Sequence, residues 1–283
     1  MQQILKIIEG LKRENPLITS EELINASREY LQIIVLESIY HSKFGRFLSF
    51  MGGTCLRLCH SLKRYSEDLD FTLDIRSSEY DFKKLSLIIQ KDLMLRNIKN
   101  EINVSQDKIV QKTFIKIVDL LDMLGLSRVK GQRLHIKLEV DTNPVDIRFG
   151  KRESFFVAKY NEIFPILKHD LPTLFAGKIL AVLNRPYRRG RDYYDLIWYL
   201  SQKININITY LNEGMKQSRT KEKFLDEKEI FKRIEEKVSQ IEPDFILKDI
   251  GRFLEDPKDM AWIKNYRQVF LQLKNLNLNR PAG

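Results

Sequence analysis

A chain of 283 residues, 43% hydrophobic and 30% charged, has the composition of a soluble globular protein and the length for one large domain or two ordinary ones. No apolar run approaches the roughly 18–20 residues of a membrane span. The opening MQQILKIIEGLKRENP alternates apolar and charged residues, unlike the unbroken core of a signal peptide, so a cytoplasmic location is expected. A net charge of +10 favours polyanionic partners such as RNA, DNA or acidic proteins, because clustered Lys and Arg neutralise phosphates and release counterions. A merely Lys-, Ile- and Asn-rich composition would give the same sign.

In chain order, Ile4, Leu5, Ile7, Ile8 and Leu11 mark a first helical stripe that ends before Pro16. Thr19, with Glu22 three residues on, is a capping-box start for a helix over residues 20–44, whose inward face is Leu31, Ile34, Val35, Ser38 and Ile39. A short buried strand is expected over 47–51 and a helix over 54–62, abutting Gly52-Gly53. Residues 68–74 read as an acidic strand and 78–96 as a helix. The stretch 101–125 is ambiguous: 109–118 alternates enough for a strand, and 120–124 has helical character. Residues 134–141 form a clean strand, with Leu134, Ile136, Leu138 and Val140 on one face and His135, Lys137, Glu139 and Asp141 on the other. Beyond about residue 173 the pattern is helical: 174–184, 192–200, a charged helix-compatible stretch over 208–242, and one or two helices over 245–276. The domain boundary is therefore expected between 160 and 173.

The richest segment is FMGGTCLRLCHSLKRYSEDLDFTL. In a strand, residues i and i+2 share a face, so Asp68 and Asp70 project together while Leu69, Phe71 and Leu73 enter a core. Two adjacent carboxylates repel unless a cation lies between them. Paired Mg²⁺ ions are the usual occupants when the chemistry is in-line displacement at phosphorus. Gly52 and Gly53, ahead of a helix starting at Thr54, let backbone N–H groups approach phosphate oxygens. Ser66 shares the face of Asp68, and Arg64, two residues further back, is placed to contact a triphosphate or to pair with Glu67. An exposed Asp-x-Asp on a solvated strand face is the plainer alternative. A third carboxylate is expected from Glu139 or Asp141, with Glu139 favoured as the more central.

A second cluster lies in FAGKILAVLNRPYRRGRDYYDL. Lys178 interrupts an apolar helical segment, where a lysine is costly unless it snorkels or meets an anion. Arg188, Arg189 and Arg191 surround Gly190 and lead into Asp192, an N-cap or a functional acid; Asp195 lies one turn on, suited to pairing with an arginine. Tyr187, Tyr193, Tyr194, Trp198 and Tyr199 are core and rim residues, of which one or two could stack on a base. His41, His60, His135 and His169 form no ligand set. Cys55 and Cys59, one helical turn apart, read as a reduced pair.

Together GGTCLRL, KRYSEDLDFTL, LHIKLEV, LFAGKILAVLNR and RRGRDYYDLIWYL resemble the AbiEii/AbiGii family of nucleotidyltransferase-like toxins, from about residue 20 to the end. These are toxins of bacterial type IV toxin–antitoxin and abortive-infection modules, with the MenT toxins as relatives. The resemblance implies an α+β fold: a polymerase-β-like nucleotidyltransferase core with a mixed sheet over 1–165, then a helical C-terminal domain over 166–283 contributing Lys178 and Asp192. It places the metal-binding pair on Asp68 and Asp70, the preceding serine on Ser66, the Gly-Gly element on Gly52 and Gly53, the family lysine on Lys178 and the R-G-R-D aspartate on Asp192. Two features depart from the family pattern: Gly177 stands where an acid usually precedes the lysine, and the Gly-Gly to Asp spacing is longer than in minimal nucleotidyltransferases. The expected protein is a Mg²⁺-dependent (or Mn²⁺-dependent) enzyme moving NMP from an NTP to RNA, with tRNA foremost, and restrained by a cognate antitoxin. Asp68, Asp70 and Glu139 would bind metal, and Gly52, Gly53, Thr54, Arg64, Ser66 and Arg191 would bind substrate. A silent nucleotide- or RNA-binding regulator, or an enzyme acting on a protein hydroxyl, are the alternatives.

Overall fold

The computed structural model describes residues 2–218, 220 and 222–279. Its chain divides into two units whose sequences interleave. The first comprises Met1–Ser61, Tyr65–Pro144 and Glu153–Lys168; the second comprises Leu62–Arg64, Val145–Arg152 and His169–Gly283.

In the first unit, helix α1 (Gln2–Glu14) buries Ile4 and Ile8. Helix α2 (Ser20–His41) starts at the expected capping box: the Glu22 amide donates to Thr19 Oγ1 at 3.2 Å, and the Thr19 amide donates to Glu22 Oε2 at 2.7 Å. Its apolar surface is wider than one stripe, and Leu31, Ile33, Ile34, Val35 and Leu36 are all fully buried. Strand β1 (Leu48–Met51) runs into helix α3 (Gly52–His60), followed by strand β2 (Asp68–Leu73) and helix α4 (Phe82–Leu95). The ambiguous stretch resolves into β3 (Asn100–Ser105), β4 (Val110–Ile117) and a single turn, α5 (Leu120–Met123). Strand β5 (Leu134–Asp141) then alternates buried and half-exposed as its sequence requires.

Two further strands, β6 (Arg152–Lys159) and β7 (Glu162–His169), were not among the expected elements. Tyr160 and Asn161 both take positive φ, 55° and 67°, giving the tight two-residue connection that suits the twist of an antiparallel hairpin. Pro165 points outward from β7, between buried Phe164 and Ile166. The seven strands order as β3-β4-β5-β2-β1-β7-β6, a mixed sheet in which β2 runs antiparallel to β1 and parallel to β5. Helix α2 lies against β5 and α4, and α4 against β3 and β4. A buried carboxylate, Glu29 of α2, accepts from Lys159 Nζ at 2.5 Å and Tyr160 Oη at 2.9 Å and pairs with Arg57 of α3.

The second unit is built on helices α6 (Leu171–Asn184), α7 (Gly190–Ser201), α8 (Ile208–Gln217), α9 (Glu227–Val238), α10 (Pro243–Ile250), α11 (Asp259–Lys264) and α12 (Tyr266–Leu278). Among the described residues the charged 208–242 stretch holds two helices, α8 and α9, and Asp226 caps the second by accepting from the Glu229 amide. Phe175 stacks on Tyr199 with ring centroids 4.5 Å apart, and Tyr266 Oη donates to the Tyr193 carbonyl at 2.9 Å. Leu196, Leu200, Leu211, Ile230 and Phe270 complete the core.

Candidate active site

The turn from β1 into α3 demands glycine on two counts. Gly52 has φ +79°, and a Cβ there would strike Asp70 Oδ2, with Asp70 Cβ and Cγ only 3.1 Å away. The carboxylate of β2 therefore rests against bare backbone at the start of the helix. Met51, the N-cap, makes no side-chain cap hydrogen bond, and a helix start of this kind suits an anion. Thr54 is buried, and its hydroxyl donates to the Asp68 carbonyl, fastening α3 to β2. Ser66, also buried, precedes β2 and is held through its carbonyl by Gln32 Nε2 of α2 at 3.0 Å.

On β2 the side chains divide as parity requires. Leu69, Phe71 and Leu73 are buried, while Asp68 and Asp70 are half-buried on the opposite face. The parallel register sets Asp68 beside Lys137, Asp70 beside Glu139 and Thr72 beside Asp141. Glu139 is thus the nearer of the two candidate acids to the aspartate pair. Its Oε1 lies 2.8 Å from Lys112 Nζ and its Oε2 lies 2.9 Å from Lys137 Nζ, which is also 3.6 Å from Asp68 Oδ1. Burial opposes the charge on Glu139, but hydrogen bonds and charges from Lys112 and Lys137 outweigh it and hold the carboxyl below its usual range. Burial likewise disfavours the charge of Lys137, and Glu139, Asp68 and Asp70 reverse that, raising its pKa. Asp141 has no such partner cation acting on its titration; burial raises its pKa against the opposing Asn143 amide.

Among the described residues, no three His, Cys, Asp or Glu side chains gather as a ready-made metal cage. The donor set is two aspartates on one face beside a lysine-neutralised glutamate. Oxygen donors of this kind suit a hard divalent cation, which completes its shell with water and substrate phosphate oxygens.

The second unit holds its own charged cluster. Asp192 and Asp195 are three apart on α7 and so share a helix face. Lys178 of α6 places Nζ 2.9 Å from Asp192 Oδ1 and 2.8 Å from Asp195 Oδ2. Arg185 reaches Asp192 Oδ2 at 2.5 Å. Arg64 forks onto Asp195, Nε to Oδ1 and Nη2 to Oδ2, both at 2.7 Å. Arg64 is only 2% exposed, so its guanidinium faces Asp195 rather than solvent, and Asp195 is 0% exposed. Burial alone would raise the Asp195 pKa, but Arg64 and Lys178 overcome it and lower it; Lys178 in turn holds its proton more tightly than usual because Asp192 and Asp195 outweigh its desolvation. Arg191 is half-buried, its amide donating to Asp249 Oδ2 at 3.1 Å and its guanidinium 5.6 Å from the Phe253 ring.

The structure therefore brings Gly52, Thr54, Asp68, Asp70 and Glu139 together in the first unit, and Lys178 with Asp192 in the second. Sequence reasoning gave no role to Lys112 or Arg185. The signal for Lys112 was strand parity: it pairs with Glu139 across β4 and β5. Arg185 lies beyond the end of α6 and had no periodic signature.

A Gly-Gly helix start packed against an Asp-x-Asp strand, within a mixed sheet, defines a nucleotidyltransferase class of fold. Two solved structures from Helicobacter pylori are similar. JHP933 has a TM-score of 0.50 at 14% identity, over 90% of this chain and 95% of that one. A candidate nucleotidyltransferase has a TM-score of 0.52 at 15% identity, over 89% of this chain and 96% of that one. At such identities the likeness is one of fold. No curated protein matches the sequence. The model of the nucleotidyl transferase AbiEii toxin family, type IV TA system, matches residues 34–279, and the chain belongs to that family. It is accordingly a nucleotidyltransferase of the toxin kind, in a family that generally uses a nucleoside triphosphate with a divalent metal and whose system implies an antitoxin partner. No helix among the described residues is long and apolar enough to cross a membrane.

Proposed function

We propose that this chain transfers a nucleoside monophosphate from a nucleoside triphosphate to a hydroxyl of RNA, foremost tRNA, releasing pyrophosphate. It would act in the cytoplasm under the restraint of its antitoxin. The observation that carries this reading is the packing of Asp70 against the Cβ-less start of α3, with Asp68 on the same face and Glu139 in register beside it.

Asp68 and Asp70 would hold Mg²⁺ or Mn²⁺, which supplies charge neutralisation on the phosphates. The N–H groups of Gly52 and Gly53 would receive triphosphate oxygens, with Thr54 keeping α3 seated on β2 and Ser66 lying at the strand entrance. The acceptor oxygen forms its bond to the α-phosphorus as the bond to the bridging oxygen breaks, and the electron pair leaves with pyrophosphate. Glu139, ionised because Lys112 and Lys137 favour its charge, is assigned to orient the acceptor hydroxyl and draw its proton. Lys178 and Asp192 carry the family lysine and aspartate, and we assign both to turnover: Lys178, fixed by two carboxylates, keeps its positive charge. Arg191 is retained as a substrate contact, whereas Arg64, forked onto Asp195, is assigned to structure. Catalysis of this kind rests on positioning and electrostatics.

The test is incubation of purified protein with each labelled nucleoside triphosphate, Mg²⁺ or Mn²⁺, and total RNA. Label should appear in RNA with one nucleotide preferred, and Asp68→Ala should abolish it. Transfer that survives the substitution refutes the site; label in protein alone, or metal-dependent binding without pyrophosphate release, refutes the RNA-transfer reading.

A further inference from the structure

In the first unit, the polar face of the sheet continues past the three carboxylates. Register sets Lys112 of β4 beside Glu139 and Phe114 beside Lys137, and it sets Asn103 of β3 directly across from Phe114. By parity Lys112, Phe114 and Lys116 share one face. The contact of Lys112 Nζ with Glu139 at 2.8 Å makes it the face of Asp68, Asp70 and Glu139. The opposite face of β4 belongs to the core, where Thr113, Ile115 and Ile117 are buried, whereas Phe114 is 42% exposed. Lone exposed apolar side chains are ordinary, but this ring is the diagonal neighbour of Glu139, roughly 7–8 Å away.

The cations of this face are already occupied. Lys112 and Lys137 both reach Glu139, and Lys116 stands across from Glu101, which is bound by Arg133. The ring has no such neighbour: among the described residues no other aromatic ring and no cation stands over Phe114. What this face offers a ligand is therefore a flat apolar surface with the exposed amide of Asn103 next to it, the two Cβ atoms roughly 4.5–5.5 Å apart. A nucleobase uses both, stacking on the ring and hydrogen-bonding through its edge. Strand order decides which base. The order β4-β5-β2-β1 places Phe114, Glu139, the aspartate pair and the Gly52-Gly53 turn in succession, about 14 Å from β4 to β1 over three strand spacings. In-line displacement sets the attacking hydroxyl and the departing pyrophosphate on opposite sides of the α-phosphorus. With the pyrophosphate end at the glycine turn, the acceptor must enter from the side of β5 and β4.

We propose that Phe114 is the platform on which the 3′-terminal base of the acceptor RNA stacks, with Asn103 at the base edge and the ribose hydroxyl carried to Glu139. The proposal rests on the RNA-transfer reading above and adds which side chains hold the end of the acceptor.

Binding measured without nucleoside triphosphate tests it. Two fluorescein-labelled single-stranded oligoribonucleotides are compared by anisotropy in Mg²⁺, identical except that one lacks the base of its 3′-terminal residue. The wild type should bind the complete oligonucleotide about tenfold more tightly than the abasic one, as one stacked base requires. Phe114→Ala and Phe114→Leu should bind both alike, at the abasic affinity of the wild type, while Phe114→Trp keeps the preference. Thermal melts should stay near the wild type, since the side chain is exposed, and labelled nucleoside triphosphate should bind unchanged. Equal wild-type affinity for the two oligonucleotides overturns the proposal, as does a preference that Phe114→Ala retains, or no binding of either. A loss of triphosphate binding in Phe114→Ala overturns it too, by giving the ring to the incoming nucleotide. If the base preference depends on Phe114 but no RNA is ever labelled, the transfer reading alone fails. If the wild type labels RNA and Phe114→Ala does so with the same KM for RNA, the platform alone fails.

Discussion

Replacing Asp195 by Asn should cost the protein about 3–5 kcal/mol. The side chain is 0% exposed and answers two cations, Arg64 at 2.7 Å through both oxygens and Lys178 at 2.8 Å. Asn keeps the shape but not the charge, leaving Arg64, itself 2% exposed, buried without its anion. Removing one partner of a buried pair costs about 3–5 kcal/mol, because the survivor keeps its desolvation penalty. For a protein of this size each kcal/mol lowers the melting temperature by roughly 2–4 °C, so a fall of about 6–20 °C is expected. Arg64→Met should cost less, since Lys178 still faces Asp195. The Arg64→Met/Asp195→Asn pair should fall short of additivity, as coupled neighbours do. The sign of the pH dependence is fixed as well. The folded-state pKa of Asp195 is depressed, so its contribution is complete above the usual carboxylate pKa of about 4 and disappears as pH falls through the folded value. The Asn variant should approach the wild type in that acid range. Urea and thermal denaturation measure both, and a deficit under about 1 kcal/mol at neutral pH would show that the pair is solvated and the argument wrong.

Gly52→Ala should keep the protein folded at a cost of about 1–3 kcal/mol from strain at positive φ, yet reduce transfer at least a hundredfold by displacing Asp70; a variant with wild-type kcat would refute the packing argument. Glu139→Gln should lower kcat by about two orders of magnitude and Asp141→Asn by less than fivefold, because only Glu139 is in register with Asp70; the reverse order would move the third acid along the strand. His60 has a pKa lowered to about 4 by burial and by the Lys168 charge, so the unfolded chain takes up a proton that the folded chain refuses. Stability should therefore decline as pH falls from about 6.5 toward 4, and His60→Gln should flatten that decline in pH-dependent denaturation.

The elements with strong local signals were legible in the chain. Thr19 and Glu22 announced the start of α2, the alternation of β5 placed Glu139 and Lys137 on one face, and Gly-Gly with Asp-x-Asp marked the α3–β2 junction. Strands β6 and β7 were hidden because neither carries the usual signatures. In β6 the run Phe155-Phe156-Val157-Ala158 is apolar on both faces, so its sequence shows no alternation; Pro165 argues against a strand; and Tyr160-Asn161 lacks the glycine that generally signals a tight hairpin. The environment of Arg64 was illegible for another reason. Read locally it neighbours Glu67, but its partner lies 131 residues away, and no periodicity encodes that distance. Lys178 with Asp192 was readable as a pair of charges in an apolar setting, whereas the sharing of Lys178 between Asp192 and Asp195 depended on the helix face that α7 turns toward α6.

The interleaved chain also sets an order of events during synthesis. Residues Leu62–Arg64 belong to the second unit, yet they leave the ribosome 131 residues before Asp195 does. At about 5–20 residues per second, Arg64 waits on the order of ten seconds for its anion, so the second unit cannot close its core while the first is being made. A fragment starting at His169 would contain Asp195 and Lys178 but never Arg64. Such a fragment should fold poorly on its own, so a toxin of this design would gain its full activity only after nearly the whole chain has been translated.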